Sequence, residues 1–184
     1  MCGIVGVTGN DRSVSILIDG LKRLEYRGYD SAGIYVNDKK GHDYLVKRSG
    51  RISNLEAALT PEVKGLAGIG HTRWATHGVP SETNAHPHYS NDERFYLVHN
   101  GVIENYQQLK EEYLKRVAFK SQTDTEVIVQ LVDKFVVDYK MDTKDALLKV
   151  LRLISPDSSY AFALMDREQP DTLFVAKNKS PLLV

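Results

Sequence analysis

Cys2-Gly3-Ile4-Val5-Gly6-Val7 is a short apolar run punctuated by glycines, which predicts a buried first strand with a cysteine held at its start. Cys2 is the only cysteine in 184 residues, and removal of Met1 would make it the amino terminus. A thiol is a poor nucleophile until it becomes a thiolate, so a catalytic cysteine needs a base within reach. A terminal cysteine carries one on its own Cα. An α-amino group titrates at about 7.7–8.0 and a free thiol at about 8.5, so proton exchange between them near neutrality costs little. The competing expectation for a lone cysteine is a small buried hydrophobe. Position two brings the nucleophile level with that reading, because a small residue there tolerates methionine removal and Gly3 admits close approach of a backbone or ligand.

Outward from this strand, Val14, Leu17, Ile18, Leu21 and Leu24 recur at helical spacing from Ser13 to Glu25. The Tyr26-Arg27-Gly28-Tyr29-Asp30-Ser31-Ala32-Gly33 segment follows as a loop or built turn. Ile34–Val36 and Tyr44–Val46 alternate about a turn at Asn37–Gly41, as a hairpin would, and Asn54–Leu59 predicts a short helix. Leu66–Trp74 predicts an inner strand delivering His71, Thr72, Arg73 and Trp74 at its end. From Ala75 to Asp92 no period of two or 3.6 survives, and a long loop inside a compact domain is more often functional than not. Phe95–His99 predicts a strand stopped by the turn signal Asn100-Gly101. Three helices are expected next: Asn105–Arg116, Val127–Tyr139 behind the capping-box spacing Thr123-Asp124-Thr125-Glu126, and one capped by Asp142 or Thr143. Ser159–Met165 and Thr172–Ala176 return to strands. Strands, then helices, then strands predict an α+β fold with antiparallel sheets covered by helices.

Lys plus Arg and Asp plus Glu number 24 each, so no field of either sign invites nucleic acid or an anionic membrane surface. One cysteine permits no internal disulfide, and no apolar run approaches the roughly 18 residues of a membrane span, so a cytoplasmic protein is expected. No phosphate-cradling glycine loop is present, so nucleotide binding is not expected. The length fits one domain spanning residues 1–184.

A thiolate attacking a carbonyl needs donors aimed at the oxyanion, and Asn100-Gly101 could supply a side-chain amide and a backbone N–H, or could be an ordinary hairpin turn. Arg73 is the candidate for a substrate carboxylate, against a surface ion pair. Asp124, at a helix start, could bind a substrate ammonium or only favour the helix dipole. Trp74 could be a lid residue or core packing. His71, His77, His86, His88 and His99 suggest a metal, yet zinc-type spacings are absent and no metal is expected. A papain-like arrangement of Cys2, His99 and Asn100 is the alternative thiol chemistry, though it leaves the position of Cys2 unexplained.

Together these residues resemble the N-terminal-nucleophile glutamine amidotransferases. The motifs are Cys2–Gly6, Arg23–Gly33, His71–Gly78, Asn84–His88, Val98–Asn105 and Thr123–Glu126, in order along most of the chain. The Tyr26–Asp30 and Trp74–Gly78 pieces look like the hexosamine-forming branch of that family. The resemblance implies a four-layer αββα sandwich of two antiparallel sheets between helix layers, with no cofactor. It implies Cys2 as nucleophile with its freed amine as base, and Asn100 and Gly101 as the oxyanion hole. It places the glutamine α-carboxylate on Arg73 and the α-amino group on Asp124. Thr76 and His77 would line the L-glutamine pocket, and Trp74 and Arg27 would order it. Ammonia would pass to a sugar-phosphate domain that converts fructose 6-phosphate to glucosamine 6-phosphate. Val184 falls where the resemblance places the linker to that domain, which also carries the main contacts of the expected homodimer. The isolated domain would then be a monomer. The rival outside catalysis is a glutamine sensor that keeps Cys2 only for packing.

Overall fold

A computed structural model describes residues 2–74 and 79–184. Thr76 and His77 lie outside the described residues. The elements run β1 (Gly3–Val7), α1 (Ser13–Leu24), β2 (Ser31–Asn37), β3 (Asp43–Ser49), α2 (Ile52–Ala57), β4 (Ala67–Arg73), β5 (His88–Tyr89) and β6 (Phe95–Val102). They continue with α3 (Tyr106–Tyr113), α4 (Asp124–Tyr139), α5 (Thr143–Leu153), β7 (Ser159–Asp166) and β8 (Leu173–Asn178). Two antiparallel sheets form, in the orders β1-β4-β2-β3 and β5-β6-β7-β8.

Side-chain alternation assigns each strand residue to one of three apolar layers. On β2, Ala32, Ile34 and Val36 pack with Leu17, Ile18 and Leu21 of α1 and with Ile52 and Leu55. Tyr35, on the opposite face, joins Ala67, Ile69, Tyr96, Val98, Ala163 and Met165 between the sheets. Phe95, Leu97, Phe162 and Leu164 turn away toward Val127, Ile128, Leu131 and Phe135 of α4 and Ala146 and Val150 of α5. The architecture is therefore helix, sheet, sheet, helix, the expected αββα sandwich. Gly68 and Gly70 let α1 lie close on β4, because a Cβ at either position would meet Leu17 or Leu21 at 2.9 to 3.0 Å.

Three boundaries depart from expectation. β6 does not stop at His99: Asn100 and Gly101 stay in the ladder opposite Ala161 and Tyr160, because β7 offers a partner strand whose pairing outweighs the local turn preference of Asn-Gly. The stretch from Ala75 to Asp92 contains β5, whose His88 and Tyr89 pair with Leu97 and Tyr96. The capping box before α4 closes on one side only. Thr123 Oγ1 accepts the Glu126 N–H at 3.3 Å, while the Glu126 carboxylate takes the Lys120 and Ser121 N–H groups at 2.8 and 2.6 Å. Among the described residues no helix is long and apolar enough to cross a membrane.

The second sheet is locked to α5 through Asp166. Its carboxylate receives Arg94 Nε and Nη2 at 2.9 Å each, the Thr143 hydroxyl at 2.6 Å and the Glu168 N–H at 2.9 Å. Burial pushes this carboxyl up, and the Arg94, Thr143 and Glu168 donors more than offset that, holding it below its ordinary value. Asp166→Ala should cost about 1–3 kcal/mol in urea unfolding, because the buried Thr143 hydroxyl and two Arg94 N–H groups lose their acceptor while Arg94 keeps Glu168 at 2.9 Å. Since the folded carboxyl titrates below the unfolded one, the wild-type contribution is complete above about pH 4 and fades as pH falls through the folded pKa. The variant should lack that acid slope.

Candidate active site

Three strand ends and one helix start converge. β1 pairs with β4 so that Gly3 faces Thr72, which brings Cys2 beside the end of β4. The Trp74 N–H donates to Cys2 Sγ at 3.1 Å, and the thiol donates to the Trp74 carbonyl at 3.4 Å. Burial pushes the Cys2 thiol up, outweighing the lowering by the Trp74 N–H and by Arg73. The thiol in this state is therefore protonated at neutral pH and needs a base to react.

Alternation on β4 puts His71 and Arg73 on the face of Ala67 and Ile69, toward the second sheet. On β6 the same rule puts Asn100 with Tyr96 and Val98, facing β1 and β4. Its Nδ2 donates to the Cys2 carbonyl at 3.2 Å, and its Oδ1 lies 3.0 Å from His71 Nε2. Gly101 follows with φ 122°, and a Cβ there would collide with the Ser159 carbonyl oxygen. A glycine is required, and the hairpin-turn alternative for Asn100-Gly101 does not hold.

Arg73 is 3% exposed and its Nη1 donates to the Val79 carbonyl at 3.3 Å. Burial pushes its guanidinium down, opposed by the charges of Asp30, Cys2 and Asp124, which places these groups around it. Asp124 is 4% exposed at the start of α4, and its Oδ2 accepts the Ile103 N–H at 2.9 Å. A buried cation and a buried anion thus lie near one another, charges of the two signs that a zwitterionic amino acid presents.

The Arg27 turn reaches the site through its neighbour. A Cβ on Gly28 would lie 2.7 Å from the Arg73 carbonyl carbon, so the chain packs directly on the Arg73 backbone there. The Trp74 ring is half exposed and meets Tyr29 edge-to-face at 5.8 Å, so it covers the site's rim and is not core packing.

His71, His86, His88 and His99 are buried hydrogen-bonding groups, while His42 is exposed beside Asp38. His86 Nε2 and His99 Nδ1 both lie 2.9 Å from Thr125 Oγ1, and His88 Nε2 lies 3.0 Å from Thr123 Oγ1. Burial pushes His86 and His88 well below the usual imidazole value. His99 points to α4, on the opposite face of β6 from Asn100, so the papain-like arrangement is not assembled. The sequence did not single out Asn84, whose Nδ2 donates to the Val79 carbonyl at 3.0 Å and whose Oδ1 accepts the Gln122 N–H at 3.0 Å, tying the segment after the undescribed residues to the start of α4. Nor did it assign a role to Thr125. Both lie inside motifs already noted, but their partners are distant in sequence.

The glutamine amidotransferase domain family matches residues 60–180. Among curated relatives, the glutamine–fructose-6-phosphate aminotransferase (isomerizing) of Lactiplantibacillus plantarum is 67% identical over 184 residues, 100% of this chain and 30% of the relative. The protein of the same name from Streptococcus pneumoniae strain R6 is 59% identical over the same shares. This chain therefore spans about 30% of the length of these relatives. Among solved structures, a glutamine phosphoribosylpyrophosphate amidotransferase from B. subtilis, complexed with ADP and GMP, superposes with a TM-score of 0.77 at 28% identity, covering 91% of this chain and 35% of that one. A predicted glutamine amidotransferase from Pseudomonas aeruginosa shares the fold, with a TM-score of 0.57 at 16% identity over 82% of this chain and 60% of that one.

Proposed function

Because the chain belongs to the glutamine amidotransferase domain family, we propose that it hydrolyses L-glutamine to glutamate and ammonia through a γ-glutamyl thioester on Cys2. The observation that carries this is the Cys2 thiol on the Trp74 N–H, with the Asn100 carboxamide on the Cys2 carbonyl and the oppositely charged, buried Arg73 and Asp124 near one another. After Met1 is removed, the Cys2 amine takes the thiol proton and the thiolate attacks the side-chain carboxamide carbon. Asn100 Nδ2 and the Gly101 N–H receive the oxyanion. Its collapse expels ammonia, with the leaving nitrogen taking the proton held by the amine, and water then hydrolyses the thioester. Arg73 holds the α-carboxylate and Asp124 the α-ammonium. Thr76 and His77 are assigned to the same pocket, and Trp74 and Arg27 to ordering it.

Residues 1–184 act, in this proposal, as the glutaminase unit of a longer cytoplasmic, homodimeric enzyme. The ammonia aminates fructose 6-phosphate to glucosamine 6-phosphate on a separate domain. The identity to the two aminotransferases supports that acceptor.

Ammonia release from L-glutamine by the Met1-free chain tests the proposal. Binding without ammonia release would make it a sensor. Asp124→Asn keeps an acceptor for the Ile103 N–H while removing the charge. The loss of a charge-assisted hydrogen bond, about 1.5–3 kcal/mol, should raise KM roughly 10- to 150-fold with kcat changed less than about threefold.

A further inference from the structure

The Asn100 carboxamide can stabilise an oxyanion only if its nitrogen, and not its oxygen, faces Cys2. A primary amide is nearly symmetric in shape, so its partners must choose between the two orientations: the Cys2 carbonyl, which Nδ2 meets at 3.2 Å, and whatever stands at Oδ1. Among the described residues His71 alone hydrogen-bonds Asn100 Oδ1, at 3.0 Å from Nε2. The same Nε2 lies 2.9 Å from the His99 backbone carbonyl. A carbonyl cannot donate, so Nε2 must carry the proton. A protonated Nε2 in turn requires an acceptor on Asn100, which is Oδ1. The opposite orientation would set the Asn100 NH2 against the imidazole N–H, two donors facing each other.

Several features keep this tautomer in place. His71 is fully buried on β4, and burial pushes it down to about 3, so it stays neutral with one N–H across the working pH range. Its Nδ1 has no hydrogen-bond partner among the described residues, so its polar contacts all lie at Nε2. The ring packs against His86 at a centroid distance of 4.0 Å. His86 is seated from two sides: its Nε2 meets Thr125 Oγ1 at 2.9 Å, and its carbonyl lies where a Cβ on Gly33 would be. Thr125 adjoins Asp124, so the buttress begins at the helix end proposed to hold the substrate ammonium.

We propose that His71 is a positioning residue that fixes the Asn100 carboxamide with its nitrogen toward Cys2, His86 and Thr125 holding the imidazole in place. This rests on the glutaminase assignment above. A purely structural His71 would need only ring volume. A positioning His71 needs its Nε2 proton.

The tests are turnover of two variants and the nitrogen-15 spectrum of the wild-type chain. His71→Leu should lower kcat for glutamine hydrolysis about 100- to 1000-fold. Its KM should stay within about threefold of wild type, and the iodoacetamide alkylation rate of Cys2 should be unchanged. His71→Gln, which returns an amide N–H near the Nε2 position, should recover kcat to within about tenfold of wild type. In the wild type, the His71 nitrogens should report the Nε2–H tautomer, without titration, from about pH 6 to 9. The proposal is overturned if His71→Leu keeps kcat within threefold, if Gln falls as far as Leu, or if alkylation collapses along with turnover. It is equally overturned by an Nδ1–H tautomer or by titration in that range, a measurement that needs no variant to fold. A wild-type chain that releases no ammonia sinks the glutaminase assignment instead, and the tautomer still reports on the amide.

Discussion

Cys2→Ser is expected to abolish ammonia release, with kcat reduced about 1000-fold or more, while glutamine still binds. A hydroxyl is far less acidic than a thiol, so the neighbouring amine that suffices to deprotonate Cys2 leaves serine protonated. The change is small in every other respect. The Trp74 N–H that donates to Sγ at 3.1 Å can donate to Oγ, and the Asn100 amide contacts the residue-2 carbonyl, which is unaltered. Calorimetric binding of glutamine should therefore stay within about threefold of wild type, since Arg73 and Asp124 are untouched. The wild type supplies the pH control. Burial has pushed the thiol up, so proton removal by a free amine is needed, and kcat/KM should rise with pH as that amine loses its proton, near the roughly 7.7–8.0 of an ordinary α-amino group. Acetylating the amine should remove activity without touching the thiol. Residual kcat within tenfold in the serine variant would show that Cys2 is not the nucleophile.

Much of this site is visible in sequence because it lies on strands, whose geometry has period two. Once β4 is recognised as an inner strand, Ala67, Ile69, His71 and Arg73 must share a face, and the buried apolar pair fixes which face it is. The cysteine strand, the Arg73 carrier and the Asp124 helix start were each predictable from local pattern. What failed was whatever a distant partner decides. Asn100-Gly101 carries a strong local turn signal, yet β7 arrives from about sixty residues later in the chain and keeps both residues in the ladder. Two residues are too few to show a period, so β5 was hidden inside a loop. Residue type alone also cannot show that Thr123 and Thr125 meet His88, His86 and His99; those hydroxyls come from the start of a helix on the far side of the second sheet.

Gly101→Ala should damage folding and catalysis together. A methyl at this position would overlap the Ser159 carbonyl oxygen and lie 2.7 Å from its carbon and 3.0 Å from Tyr160 Cα. All three are backbone atoms of β7, which is anchored on both faces by Phe162, Ala163, Leu164 and Met165, so no flexible side chain can yield. The φ of 122° adds strain that alanine rarely tolerates. Strain of about 1–3 kcal/mol and overpacking of similar size sum to a loss of about 2–6 kcal/mol. For a chain of this length that lowers Tm by roughly 4–24 °C. Relief is available if the end of β6 splays from Ser159 or the Gly101 peptide rotates, and either movement carries the Gly101 N–H away from the oxyanion. In the folded variant, assayed well below its Tm, kcat should therefore fall about 100-fold or more. Asn100→Ala separates the two effects, since it removes the other donor without a backbone clash and should lose a similar factor in kcat with little change in Tm. If Gly101→Ala melts with the wild type, the close approach to β7 is wrong. If it melts early yet keeps its kcat when cold, Gly101 is a packing residue and the oxyanion is held by Asn100 alone.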